Sequence, residues 1–442
     1  MKKVLENDLC IIDYSDTLHC LAEKTIELLK VKIPEYEDFF CIKLIDKIKV
    51  NYFDSLQEFR NFIHNIRNDN SLPEYATGTY DKDMINAYIE PEDQNRRVFT
   101  ASHELFHILF KKYVLEENNF DRIVWYDEGM AQYMSGEKDK IKDEESFKKF
   151  YLKVKAETKV IPELDNLKHG KMFLNDNYNG YNLSYIAIRY LNEVLTTNEF
   201  KNLMYNPEKI KEYGKRIVIN SINYFDKKYC QNDSFEEEID YLEKLNYDYE
   251  YLYLKGKNKI LFSAPHTMMQ ERKDGTIKLS EPYTKAISLF LNRHDDTYSM
   301  VKLKDTKIES NNDNYDDYNV ELRRLIKEND IAIIIDLHGA AKERDFDVEF
   351  GTLNNLSADY TTVKELEMSF KENGIDNIVY NNPFKGGAIT RGIFGIDNID
   401  VIQIEINKKF RDNPESLRRI ISSLEMFIKK YNESINKKSI RR

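Results

Sequence analysis

The sequence predicts an α+β fold over residues 1–240, followed by an α/β fold, three layers around a mainly parallel sheet, over residues 241–442. Three observations lead there. The first half mixes strand and helix patterns without regular alternation. The second half alternates them and contains the unbroken apolar run Ile331-Ala332-Ile333-Ile334-Ile335, which suits a strand buried on both faces of a parallel sheet. Between the halves, Asp233 to Asp240 holds five acids in eight residues, the composition of a solvated helix or linker. A length of 442 residues allows two or three domains.

Taken in order, Leu21 to Leu29 has helical periodicity, Ile48 to Phe53 reads as a strand and Ser55 to Ile66 as a helix. Gly78 to Ile89 reads as one strand, Asn95 to Tyr113 as a long helix, and Trp125 to Ser135 and Tyr185 to Leu195 as shorter ones. Past the acidic segment, tyrosines 247, 249, 251 and 253 alternate at period two, as in a strand with a tyrosine-lined face. A turn at Lys255-Gly256-Lys257-Asn258 leads into the strand Ile260 to Ala264. The apolar run follows, then a helix at Thr361 to Glu372 and a strand at Asp400 to Ile406.

Composition narrows the function. The net charge of −11 argues against a general nucleic-acid binder, which carries a basic footprint. The four cysteines form no CxxC pair and read as reduced thiols. No apolar stretch approaches 18 residues, so no membrane span is expected. The opening MKKVLENDLC lacks the apolar core of a signal peptide, so the expected location is cytoplasmic. Residues 429–442 carry six basic groups and one acid, the pattern of a solvated helix end.

Ser102-His103-Glu104-Leu105-Phe106-His107 contains HExxH. On a helix, positions i and i+4 share a face, so His103 and His107 can reach one metal ion, and Glu104 can take a proton from water. Hydrolytic zinc needs a third protein ligand and an open position. Glu128, in Trp125-Tyr126-Asp127-Glu128-Gly129-Met130-Ala131-Gln132-Tyr133, is the candidate, with small Gly129 and Ala131 allowing close approach to the first helix. These segments resemble the gluzincin metallopeptidases of the peptidase MA clan. The resemblance spans roughly residues 40 to 200. It implies a zincin-like fold, zinc held by His103, His107 and Glu128, and Glu104 as general base. It also implies that the strand near Ala76-Thr77-Gly78 and Ile85-Asn86-Ala87 lies beside the cleft and can pair with extended substrate. A further donor to the oxyanion is expected from Tyr185 or Tyr181.

The second constellation lies at strand ends. His266 follows Leu261-Phe262-Ser263-Ala264-Pro265, and His338 follows Ile333-Ile334-Ile335-Asp336-Leu337, with Gly339 permitting a tight turn. Carboxyl ends of parallel strands share one edge, where ligands bind. Asp336 points to the same side as His338 and can orient its ring. Ser263-Ala264-Pro265-His266, Glu281-Pro282-Tyr283-Thr284, Asp336-Leu337-His338-Gly339, Phe350-Gly351-Thr352 and Gln403-Ile404-Glu405-Ile406-Asn407 resemble the N-formylglutamate amidohydrolase family. The likeness covers about residues 255 to 430. It implies a zinc amidohydrolase with His266 and His338 as ligands, Glu281 as third ligand and Glu405 as general base. Arg391 and Arg411 would clamp a substrate carboxylate. Thr267 stands where the family has glycine. Glu281, followed by Pro282, also reads as ordinary charge at a helix start.

Together these readings give a hydrolase with two zinc ions, one per half. The N-terminal half would cleave peptide bonds. The C-terminal half would hydrolyse an amide or acyl-amide near a carboxylate, so the expected partners are a peptide-like substrate and a small carboxylate-bearing amide. The alternative keeps one half, the C-terminal, as a peptide-binding or interaction module without turnover. Glutamates at both base positions argue against a purely structural zinc protein.

Overall fold

The structure is a computed structural model that describes residues 2–67, 78–81, 84–230, 234–272, 274–304, 310, 315–396 and 399–440. The chain divides into two compact units, Met1–Phe225 and Asp226–Arg442. The division falls 15 residues before the expected boundary at 240, which instead lies inside the helix Phe235–Lys244. That acidic segment is not a linker. Ser234 caps the helix in a reciprocal box with Glu237, Ile239 and Leu242 are buried, and Glu238 pairs with Arg293 at 2.9 Å. Asp233 lies outside the described residues.

The first unit is built on a five-stranded sheet of β1 (Lys2–Glu6), β2 (Cys10–Ser15), β3 (Ile48–Phe53), β4 (Gly78–Asp81) and β5 (Met84–Tyr88), in the order β1-β2-β3-β5-β4. The three central strands are parallel, and the outer two run antiparallel to their neighbours. The expected strand from Gly78 to Ile89 is thus two, paired Gly78 to Ala87, because the polar triplet Asp81-Lys82-Asp83 breaks the alternation. The part of that reading at Ala76-Thr77 lies outside the described residues. The helix His19–Phe40 buries Ala22, Ile26, Leu29, Ile33 and Tyr36 along one face, at the 3–4 residue spacing of an amphipathic helix. Tyr36 OH then meets Ser102 Oγ at 2.8 Å and fastens the HExxH helix. That helix, Thr100–Phe110, starts five residues later than expected because the preceding amides turn back onto Asp93 O and Gln94 O. It continues into a π-helical turn, Lys111–Glu116.

The second unit holds a seven-stranded sheet of β6 (Tyr251–Leu254), β7 (Ile260–Ala264), β8 (Tyr298–Lys302), β9 (Ile333–Ala340), β10 (Val348–Gly351), β11 (Ile378–Tyr380) and β12 (Asp400–Asn407), in the order β11-β10-β12-β9-β7-β8-β6. The strands β12, β9, β7 and β8 are parallel. On one face Leu261, Ile334 and Val401 pack with Leu322 and Ile326 of the helix Asp317–Glu328. On the other, Ser288 of the helix Thr284–Asp295 bonds Phe262 O and Ser299 Oγ. The tyrosine-lined strand begins only at Tyr251, because its partner β8 ends at Lys302, the register mate of Tyr251. Asp316, which reads in the sequence as part of a solvated acidic loop, is buried. It caps the helix Asp317–Glu328 and faces Lys302 Nζ at 3.4 Å, while Asn314 lies outside the described residues. Among the described residues no helix is long and apolar enough to cross a membrane.

Candidate metal centres

The HExxH helix places His103 and His107 one turn apart, with ring centroids 4.8 Å from each other. Glu128, on the helix Val124–Met134, points its Oε2 between them, 3.6 Å from His103 Nε2 and 3.7 Å from His107 Nε2. Ligand atoms of the three residues all lie within 4.8 Å of one another. Around a tetrahedral zinc ion with bonds of about 2.0–2.1 Å, ligand atoms stand about 3.4 Å apart, so this donor set fits zinc. Each ring is turned by a second carboxylate. His107 Nδ1 lies 2.7 Å from Asp127 Oδ1, and His103 Nδ1 lies 3.2 Å from Glu137 Oε2. Such contacts favour a proton on Nδ1, the tautomer whose Nε2 would be free to bind a metal. Arg122 binds Asp127 Oδ2 and, at 2.9 Å, Glu128 Oε1.

Burial opposes charge on both imidazoles, but the surrounding carboxylates outweigh it. His103, with Glu128 and Glu137, is held up at about 9, and His107, with Asp127 and Glu128, at about 10. Against the same burial, the two imidazoles hold the Glu128 carboxyl well below its ordinary range. Glu104 contrasts with it: burial raises its pKa, as suits a proton acceptor. Glu104 lies against β4, where a Cβ on Gly78 would come 2.9 Å from its Oε1.

Three features differ from the sequence reading. Gly129 packs not on the HExxH helix but on the helix Gly180–Val194, where a Cβ would meet Ser184 O at 2.8 Å. Tyr185 does not face the cleft. It is 1% exposed, among Tyr133, Phe147 and Phe150, because its position on that helix turns it into the aromatic core. Tyr181, one turn earlier, lines the cleft. Asp127, Glu137 and Arg122 were missed: Asp127 is hidden by adjacency to Glu128, and Glu137 reaches His103 across 34 residues with no periodic signal.

In the second unit His266 lies two residues past the end of β7, and Glu281 N donates to His266 O at 2.8 Å, closing the loop between them. Glu281 Oε1 is 3.1 Å from His266 Nδ1, and its Oε2 is 3.5 Å from His338 Nδ1. These three residues also bring ligand atoms within 4.8 Å of one another, and all are buried. Two imidazoles and one carboxylate again match a three-ligand zinc site. His338 Nε2 lies 2.9 Å from Asp336 Oδ2, and Ser263 Oγ donates to Asp336 Oδ1 at 2.9 Å, so the ring is oriented from behind. Lys278, which the sequence reading missed, sets its ammonium 2.6 Å from Glu281 Oε1, at an i,i+3 spacing that carries no pattern of its own.

His338 does not end a strand. The strand β9 runs on to Ala340, paired with Asn407, and no turn occurs at Gly339. Gly339 is required for another reason: a Cβ there would lie 2.5 Å from Arg411 Cζ. Arg411 in turn is not a substrate clamp. It is 3% exposed, and its guanidinium donates to the carbonyls of Ile406, Pro282 and Ala340, so it braces the loop that carries Glu281. Arg391 is exposed on the helix Ala388–Ile393 and donates to Gly386 O at 2.9 Å. Glu405 is the register mate of His338 on β12. Gln403 Nε2 donates to Glu405 Oε1 at 2.8 Å, and Gly387 N donates to Gln403 Oε1 at 2.6 Å. Burial raises the pKa of Glu405, and the nearby Glu281 adds to the rise. His294, beside Asp295 and Asp296 in a stretch whose sequence suggests a solvated loop, sits on the helix Thr284–Asp295, stacked on Phe290 at 4.2 Å and bonded to Glu238.

The sequence profile of the N-formylglutamate amidohydrolase family matches residues 264–410, an interval that contains His266, Glu281, His338 and Glu405. No curated protein matches the chain. Among solved structures, the N-formylglutamate amidohydrolase of Ralstonia eutropha JMP134 aligns at TM-score 0.31 and 10% identity, over 42% of this chain and 97% of its own. A bacteriophage poly-gamma-glutamate hydrolase aligns at TM-score 0.29 and 13% identity, over 42% of this chain and 91% of its own. The zinc-free apo form of YNDL aligns at TM-score 0.28 and 19% identity, over 41% and 90%. Residues 264–410 form an N-formylglutamate amidohydrolase-like domain of mixed α/β architecture.

Proposed function

We propose that the chain is a two-site, zinc-dependent amide hydrolase. The first unit cleaves peptide bonds, and the second hydrolyses an amide or acyl-amide near a carboxylate. One observation carries the reading: in each unit two imidazoles and a carboxylate converge, and a second glutamate with a raised pKa, half-buried Glu104 or buried Glu405, stands outside the ligand set. The family match over residues 264–410 supports the second site, since its proposed ligands and base fall within it.

A zinc ion on His103, His107 and Glu128, or on His266, Glu281 and His338, would supply Lewis acidity that polarises a carbonyl and makes water a nucleophile near neutral pH. Glu104 takes the proton of the attacking water and returns it to the leaving amine, helped by the burial that raises its pKa. Asp127 and Glu137 keep the two imidazoles in one tautomer. The edge strand β4 offers its outer backbone groups to an extended peptide beside Glu104. In the second unit Glu405 is the base, held by Gln403, and Arg391 receives the substrate carboxylate.

A second reading has the C-terminal site bind a peptide-like amide without turnover. The Lys278 ammonium, 2.6 Å from Glu281 Oε1, favours it by competing for that carboxylate. Metal analysis with paired variants decides. Two zinc equivalents are expected, one lost in His103→Ala and the other in His338→Ala. Glu104→Gln should keep its metal and lose peptide cleavage by at least about a hundredfold. Saturation at one tightly held metal would sink the two-site reading, and wild-type cleavage by Glu104→Gln would remove Glu104 as base.

A further inference from the structure

Two cavities flank Glu104 in the first unit, sharing Gly78, His103, Glu104 and Glu137 in their walls. They differ in charge. The cavity of about 550 Å³ is faced by Tyr80, Gln132, Asn179, Tyr181 and Asn182, which are polar and neutral, and its two cations are engaged: Arg122 with Asp127 and Glu128, and Lys138 with Glu137. The cavity of about 660 Å³ brings together Arg96, Arg97 and Lys140. Its acids, Glu104 and Glu137, belong to the proposed catalytic group, and Glu137 is already bound to His103 and Lys138. Exposed Arg96 pairs with half-buried Asp93 at 2.5 Å, while Lys140 makes no ion pair among the described residues. Phe99 and Thr100, the start of the eleven-residue HExxH helix, also line this cavity, and that helix end carries no side-chain cap. Its positive dipole end adds to the three cations. In a chain of net charge −11, the three cations of this wall outnumber its two acids.

We propose that the Arg96/Arg97/Lys140 cavity is a specificity subsite that takes a carboxylate of the peptide substrate, next to the bond being cleaved. The proposal rests on the peptidase reading of the first site and adds its substrate class: peptides with an acidic side chain or a free C-terminal carboxylate within a residue or two of the scissile bond. The carboxylate exchanges water for the guanidinium and ammonium groups, and its charge draws the peptide into the cleft.

The test measures binding separately from turnover. Fluorescent peptides are titrated by anisotropy against the zinc-loaded Glu104→Gln chain of 442 residues. One arm compares an Asp-containing peptide with its Asn counterpart, and the other a free C-terminus with its amide. The carboxylate form should bind at least about fivefold more tightly in one arm, which identifies the source of the charge. Lys140→Glu should erase that preference, and Lys140→Ala should reduce it. Equal affinities in both arms, a preference that survives Lys140→Glu, or no binding of any peptide would overturn the proposal. If the preference holds and the wild-type chain cleaves nothing, the peptidase reading fails and the subsite stands.

Discussion

Asp127 Oδ1 lies 2.7 Å from His107 Nδ1, and the ring so turned sets Nε2 3.7 Å from Glu128 Oε2. Two consecutive residues of one helix thus address opposite edges of the same imidazole. Asp127→Asn keeps the shape but donates or accepts with half the group, so the ring loses its fixed tautomer. Metal affinity of the first site is expected to fall about 10- to 100-fold, the usual loss for such an orienting partner. Chelator competition measures it, and an unchanged dissociation constant would contradict the role assigned to Asp127.

Gly339→Ala should destabilise the second unit. The new Cβ would stand 2.5 Å from Arg411 Cζ, and Arg411 is buried and tied to three carbonyls. Overpacking of this kind costs about 1–3 kcal/mol. Displacement of Arg411 would also loosen Pro282, beside Glu281. Denaturant titration should show the loss, and wild-type stability would mean that the guanidinium moves freely.

Asp295 ends the helix Thr284–Asp295, where the dipole disfavours negative charge, and its Oδ2 is buried with no hydrogen-bond partner among the described residues. Burial, with Glu425 adding repulsion, raises its pKa from 3.8 to about 6. Because the folded value is the higher one, its contribution to stability is fully present below pH 4 and is lost as pH rises through 6. Asp295→Asn removes the charge that forms above that range. The variant is expected to be more stable than the wild type by about 1–2 kcal/mol at pH 8, allowing for partial exposure, and by much less at pH 4.5. An equal effect at both pH values would show that ionisation is not the cause.

The acidic helix Phe235–Lys244 belongs to the second unit. A chain starting at residue 241 loses Glu238, the 2.9 Å partner of buried Arg293, and the helix that buries Ile239. A chain starting at residue 234 keeps both, and neither contains Asp226, whose Oδ2 lies 3.2 Å from Arg293 Nη2. Breaking a buried ion pair costs about 3–5 kcal/mol. The shorter fragment is therefore expected to unfold at markedly lower denaturant. Coincident unfolding curves would restore 240 as a usable boundary.

Ordering along the chain was legible in the sequence wherever one local rule governs it. The helical i,i+4 spacing put His103 and His107 on one face before any fold was known, and period-two and apolar patterns marked Ile48–Phe53 and Ile260–Ala264 with the bounds they have in the structure. These features follow from backbone geometry within a few residues. Contacts between distant elements were decided only by tertiary structure. The HExxH helix alone does not say that Glu137, 34 residues on, reaches His103. No spacing distinguishes Tyr181, which lines the cleft, from Tyr185, which fills the core, because the two sit one turn apart on the same helix. Arg411 read as a substrate clamp because its type suits carboxylates, yet the missing Cβ of Gly339 draws it inward as a brace. A side chain's type sets what it can bind. Which partner it meets depends on how strands and helices far apart in sequence pack, and single-sequence patterns do not carry that information.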